Sequence, residues 1–390
     1  MMKHQAEIIC AASLLLGLGS SGTAFEVFPV QEPSNLQQRP AVDNGKIVWQ
    51  QDMGSNGWDI YGVDLLGPDA PTYFIVDVFQ FDQEQPALWN DRVVYQDNSY
   101  GDWDVYVSDI SDVNNPVSYL ITPNEQDYLN DQTNPAIHGN TAAWQDEFAS
   151  GDWDIVAADI TEPNATYVYP VQLTDEDHYY ANQQSPAIYR NRLIWQDNWL
   201  GDWDIASADL WLKTSPLDQF LSASSLQQEN PAVWGDWIVW QEDFGDGDFD
   251  IYAADISDPE DPVEFALVSD TAAQINPAIS GHLVVWQDSR NGNWDIYGYN
   301  LITRQEFQIT TNSADQTNPA ISGSLVAWED SRAVPITIYY TWLEGDVIAD
   351  CPSRLTGDVN SDCRVDLTDY ALLAQEWLTC ALDPISACTN

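Results

Sequence analysis

The chain has 390 residues, with 12 Lys and Arg against 62 Asp and Glu, and a formal net charge of −50 at pH 7. A field of that sign repels phosphates and anionic membrane surfaces, which argues against nucleic acid as a partner; it suits cations, or simply solubility. The length exceeds what one ordinary core needs, so internal repeats or several domains are expected.

In chain order, residues 1–24 read as a signal peptide. Lys3 and His4 supply a basic start, Ile8 to Leu18 is an apolar run, and Gly22-Thr23-Ala24 offers small residues for cleavage before Phe25. The run is short for a membrane span, and no later stretch is long enough either. The mature chain is therefore expected to be secreted, extracellular or periplasmic, with no membrane span after cleavage. Of five cysteines, Cys10 leaves with this segment and Cys351, Cys363, Cys380 and Cys388 lie near the C-terminus. The large part between must stand on its core alone, which its size permits.

From there one unit repeats. A Pro-Ala pair begins at Pro40, Pro86, Pro135, Pro186, Pro231, Pro277 and Pro319. Nine residues later stands an aromatic: Trp49, Tyr95, Trp144, Trp195, Trp240, Trp286 or Trp328. Three residues before each proline stands Gln37, Gln83, Gln132, Gln183, Gln228, Gln274 or Gln316. Each copy reads as four short strands. The first contains Pro-Ala, and a Gly/Asn/Asp turn suited to φ > 0 leads to a second such as Leu283-Val284-Val285-Trp286. A polar loop leads to a third such as Trp294-Asp295-Ile296-Tyr297, and the fourth resembles Phe307-Gln308-Ile309-Thr310. Four strands per copy, copies 42 to 51 residues apart and few helical patterns predict an all-β, seven-bladed propeller over residues 25–345. The seventh copy has no fourth strand of its own after Thr341-Trp342-Leu343. Val30 precedes Pro40 by the spacing with which Ile309 precedes Pro319, so Phe25 to Val30 is expected to close the ring.

The loop between second and third strands is best developed in Ser289-Arg290-Asn291-Gly292-Asn293-Trp294-Asp295-Ile296-Tyr297. It resembles the TolB-like (WD40-like) propeller repeat, with its Ser-x-Arg-x-Gly-x-x-Asp-Ile-Tyr pattern. The resemblance implies a propeller. It does not transfer a role in envelope assembly, because TolB proteins have six blades and an extra domain, and a propeller carries many activities.

Two acids recur in these loops. The first is Asp97, Asp146, Asp197, Glu242, Asp288 or Asp330, with Gln51 breaking the pattern; the second is Asp59, Asp104, Asp154, Asp204, Asp250 or Asp295. They could form a negative ring that binds a cation or ligand, or each could accept N–H bonds in its own turn. The second reading is expected, since a feature present in every blade is architectural. Eleven of the 18 Trp occupy the two repeated positions and are expected in the core. Trp89, Trp199, Trp211, Trp234, Trp237 and Trp342 fall outside them. Trp89 and Trp234 each end a first strand at the channel rim, where a sugar could stack. No nucleophile stands beside a base, and the carboxylates are too many to single out a glycosidase pair.

The last 45 residues, 346–390, hold the sharpest motif. Asp358, Asn360, Asp362, Asp366 and Asp369 stand at positions 1, 3, 5, 9 and 12 of a calcium loop, with the Arg364 carbonyl at 7. Leu367, Tyr370, Leu373 and Trp377 follow at helical spacing, a loop–helix module for Ca2+. The segment resembles a type I dockerin repeat of EF-hand kind. It departs in having Cys363 where Gly is usual and in having one loop rather than two, which bears on binding a cohesin more than on binding calcium. A helix from the loop holds Cys363 and Cys380 roughly 15 Å apart, beyond disulfide reach. That disfavours their pairing, and Cys351–Cys363 with Cys380–Cys388 is the expected one of the two that remain. The resemblance implies attachment to a cohesin-like or cell-surface protein. The leading expectation is thus a non-catalytic binding or assembly protein. The alternative is a polysaccharide-processing enzyme, a glycoside hydrolase or polysaccharide lyase, or a carbohydrate-binding accessory.

Overall fold

The computed structural model describes residues 25–31, 35–67, 70–76, 81–121, 130–147, 151–161, 167–171, 181–210, 217–222, 225–243, 247–258 and 262–348. The signal segment, His178, Trp211, all five cysteines and the whole calcium loop lie outside them.

Seven antiparallel sheets of four strands are arranged as blades, and each runs from an inner to an outer strand in chain order except the last. In blade one the strands are Gln37–Asp43, Lys46–Asp52, Trp58–Asp64 and Thr72–Ile75. In blade seven the outer strand is the N-terminal Phe28–Pro29, paired with Thr337–Trp342 through Phe28↔Tyr340 and Pro29↔Tyr339. The Val30 N–H donates to the Ile338 carbonyl at 2.9 Å, and the Thr341 hydroxyl donates to the Glu26 carbonyl at 2.7 Å. The expected closure by Phe25 to Val30 is therefore the one observed. It joins the two ends of the array and leaves neither terminal blade with an unpaired edge at the seam.

Strand limits differ in detail from the sequence reading. Each inner strand begins at the repeated glutamine, three residues before the proline, or one residue earlier in blade five. A bulge at the residue preceding proline lets the ladder continue past a residue that has no N–H to give. The sixth blade's outer strand is Gln305–Gln308, so Ile309 and Thr310 lie just beyond it.

The core lies between blades. Val48 and Ile60 of blade one meet Tyr95 of blade two, and Val285 and Ile296 of blade six meet Trp328 of blade seven. Trp49, Trp144, Trp195, Trp240, Trp286 and Trp328 are fully buried in this way, each against the preceding blade. The second repeated tryptophans correct the sequence reading: Trp58, Trp103, Trp153, Trp203 and Trp294 are only half-buried. Their backbones reach the next blade's entry instead, as when the Trp58 N–H donates to Asp82 Oδ1 at 3.0 Å and the Trp294 N–H to Asp315 Oδ1 at 3.0 Å.

Candidate functional site at the channel

The seven inner strands line a central channel. On each, the residue before proline takes a left-handed backbone: Arg39, Gln85, Asn134, Ser185, Asn230, Asn276 and Asn318 have φ of 51–55°. A non-glycine residue held there costs about 1 kcal/mol. Each is pinned by its own N–H, which donates to the side chain that follows the core aromatic in the preceding blade. Gln85 donates to Gln50 at 3.0 Å, Asn230 to Gln196 at 2.9 Å and Asn318 to Gln287 at 2.9 Å. At the seam the acceptor is a carboxylate: Arg39 N–H donates to Glu329 Oε1 at 2.9 Å. These latches tie the blades together around the axis. The sequence shows the glutamine in Trp-Gln-Asp but gives no sign of this use, since donor and acceptor lie 31 to 40 residues apart in the six ordinary cases. Together the Xaa-Pro pairs enclose a cavity of about 340 Å³ on the channel axis.

At the other end of the inner strands, where each turns back toward the second strand, the ring loses its symmetry. The last residues are Asp43, Trp89, His138, Tyr189, Trp234, Ser280 and Ser322. Blades two to five thus present four successive aromatic rings. Ring centroids are 3.7 Å apart for Trp89–His138, 4.7 Å for His138–Tyr189 and 4.8 Å for Tyr189–Trp234. All four are half-buried, so each keeps part of its surface open at the mouth. The other blades present polar groups that serve the ring itself. Ser322 Oγ donates to Asp43 Oδ1 at 2.9 Å, the Asn90 N–H to Asp43 Oδ2 at 2.6 Å, and the Gly323 N–H to Ser280 Oγ at 2.9 Å.

Next to the arc stands Arg190, with its guanidinium carbon 5.2 Å from the Tyr189 ring centroid. Burial, and then the Arg190 charge, pull the His138 imidazole down to about 4, so it is neutral at pH 7. Its Nε2 is buried without a hydrogen-bond partner. A row of half-open aromatic faces around a concave mouth can stack against the C–H face of a sugar ring or another flat apolar surface. The sequence had placed Trp89 and Trp234 at this rim. His138 and Tyr189 end the inner strands between them and join the two tryptophans only in the folded ring.

The repeated acids are not an open ring. Asp97, Asp197, Glu242, Asp288 and Asp330 are 5 % exposed or less. Most accept the indole N–H of their own blade's tryptophan, as Trp286 Nε1 to Asp288 Oδ2 at 3.0 Å and Trp328 Nε1 to Asp330 Oδ2 at 3.0 Å. They also accept turn N–H groups, from Ser99 to Asp97 at 2.7 Å and from Trp199 to Asp197 at 2.8 Å. Gln51 does the same work in blade one, accepting from Trp49 Nε1 at 3.3 Å and Gln37 Nε2 at 3.0 Å. In blades six and seven, Arg290 and Arg332 clamp their acids at 2.6 Å. Asp146 and Asp154 are both pushed up to about 6, first by burial. Among the described residues no group of three or more His, Cys, Asp or Glu could hold a metal ion. Asp358, Asn360, Asp362, Arg364, Asp366 and Asp369 lie outside the described residues. Among the described residues, no helix is long and apolar enough to cross a membrane.

Fold and channel define a seven-bladed β-propeller with four-stranded antiparallel blades. A puromycin-hydrolyzing peptidase from Mycobacterium tuberculosis is similar, with TM-score 0.57 and 12 % identity over 81 % of this chain and 53 % of that one. The chain thus spans about half the length of that peptidase. Oligogalacturonate lyase in complex with manganese is similar with TM-score 0.59 and 10 % identity, over 84 % of this chain and 98 % of that one. TolB from Acinetobacter baumannii matches with TM-score 0.48 and 13 % identity over 71 % and 66 %. At these identities the likeness is one of fold. No family model and no curated protein sequence matches the chain.

Proposed function

We propose that this chain is a secreted, non-catalytic binding protein whose propeller holds a carbohydrate at the aromatic mouth of its channel. The observation that supports this is the break in sevenfold symmetry: Trp89, His138, Tyr189 and Trp234 fill positions that the other three blades give to Asp43, Ser280 and Ser322. The repeated acids are spent on architecture, whereas this arc does something the ring does not require. The dockerin-like tail, residues 346–390, would be the attachment device. It would bind one Ca2+ through the loop from Asp358 to Asp369 and dock a cohesin-like or cell-surface protein. Affinity electrophoresis of the full chain through gels containing single polysaccharides tests the reading. Retardation by at least one neutral or acidic glycan is expected, and Trp89→Ala should abolish it. Retardation unchanged in Trp89→Ala removes the arc as the site.

One observation favours the alternative, a polysaccharide-processing enzyme. Glu84 and Glu229 stand on the inner strands of blades two and five, where other blades carry Gln, Thr or Ile. Both are half-buried and pushed up, first by burial. Glycan cleavage that is lost in Glu84→Gln and Glu229→Gln would establish that reading.

A further inference from the structure

The arc itself says nothing about charge on the ligand, but Arg190 does. In all seven blades the first residue of the turn after the inner strand has positive φ. Six blades meet that demand with Asn44, Asn90, Gly139, Gly235, Gly281 and Gly323, at φ of 45–63°. These residue types visit the left-handed region at low cost. Blade four alone places a long cation there: Arg190, at φ 56°. Nothing in the turn requires it, since Asn serves the same position in blades one and two.

Among the described residues the charge meets no acid, only the face of the Tyr189 ring. Among the described residues, Arg290 and Arg332 are clamped by Asp288 and Asp330, Lys46 lies 3.1 Å from Asp91, and Arg192 donates to the Ile256 carbonyl at 3.3 Å. Arg190 has no ion pair or hydrogen bond of this kind. It lies half-exposed over Tyr189, midway along the arc. A strained backbone that holds a cation without a carboxylate partner beside a half-open aromatic surface fits a binding group.

We propose that Arg190 is the specificity-determining residue of the arc and that the ligand is an acidic glycan, whose uronate carboxylate is held by the guanidinium while its sugar ring lies on the aromatic rings. A guanidinium presents a planar fork that matches a carboxylate's two oxygens. The chain's charge of −50 repels a long polyanion, so the best fit is a mostly neutral glycan with isolated uronate residues. This inference rests on the proposed binding function of the arc.

The test is isothermal titration of the full chain, in about 0.15 M salt, with oligosaccharides that carry isolated uronates, of the glucuronoxylan and highly methyl-esterified pectin types, each beside its carboxyl-reduced form. The two forms differ only in the carboxylate. Wild type should bind at least one acidic form about tenfold or more tightly than its reduced counterpart. Arg190→Asn keeps a residue suited to the turn and should bring the two affinities together. Arg190→Lys keeps the charge without the fork and should fall between. Trp89→Ala should weaken both forms alike. Equal affinity for acidic and reduced forms in wild type, or an undiminished preference in Arg190→Asn, overturns the inference while leaving the arc as the site. No binding of any form by wild type overturns both.

Discussion

Where blade seven meets blade one, the latch that is glutamine in six blades is Glu329. Its carboxylate is 5 % exposed. One oxygen, Oε1, accepts the Arg39 N–H at 2.9 Å and Asn318 Nδ2 at 2.8 Å. Burying a carboxylate costs several kcal/mol even after relaxation. Two hydrogen bonds to a charged acceptor return about 1 kcal/mol each more than bonds to a neutral one. Glu329→Gln keeps an acceptor of the same shape, as Gln50 and Gln287 demonstrate in their own blades. It should therefore stabilise the propeller by about 1 kcal/mol, a rise of roughly 1–3 °C in midpoint for a domain of this size. Glu329→Ala leaves both part-buried donors unmet, at about 1–2 kcal/mol each, and should destabilise by about 2–4 kcal/mol. Urea unfolding followed by tryptophan fluorescence measures both. A Glu329→Gln protein less stable than wild type by 1 kcal/mol or more would refute the reasoning, because the negative charge would then be serving the seam.

Two further outcomes are expected. The carboxyl of Asp154 is raised from 3.8 to about 6, by burial first and then by Asp152 and Asp197. The folded chain therefore holds a proton there that the unfolded chain has lost, and this group's stabilising contribution fades as pH rises from 3.8 through about 6. Asp154→Asn should thus be more stable than wild type near neutral pH, by on the order of 1–2 kcal/mol, and no more stable below pH 3.8; an equal gain at both ends would contradict burial of the charge as the cause. In the tail, Asp358→Ala should abolish one calcium site in titration calorimetry of the full chain, since binding free energy there becomes folding free energy. Unchanged stoichiometry and affinity would place calcium elsewhere.

The blade count and the ring closure were legible because each rests on residues that repeat. Pro-Ala, the aromatic nine residues on, and the spacing of Val30 to Pro40 against Ile309 to Pro319 are all visible in one chain. The burial of the first tryptophans followed from the same repetition. It misled at Trp58, Trp103, Trp153, Trp203 and Trp294, where the repeated element is the backbone N–H and the ring is only half-covered. The glutamine latches were illegible because their partner is a backbone group in the next blade, whose left-handed conformation no residue type announces: Arg39 and Gln85 adopt it as Asn134 does. The arc was half legible. Trp89 and Trp234 stood out as tryptophans away from the pattern, but His138 and Tyr189 became their neighbours only when the ring closed. Arg190 stands out once its turn is compared with the other six.

The claim that the propeller binds glycan through this arc meets its most direct test on a glycan microarray probed with the full chain, wild type beside the Trp89→Ala/Trp234→Ala double variant. Both residues are half-exposed at the ends of inner strands, so folding can be verified independently by the unchanged signal of the six buried tryptophans. Wild type is expected to mark a small set of glycans and the double variant to lose them all. The same glycans bound equally by a folded double variant would contradict the account.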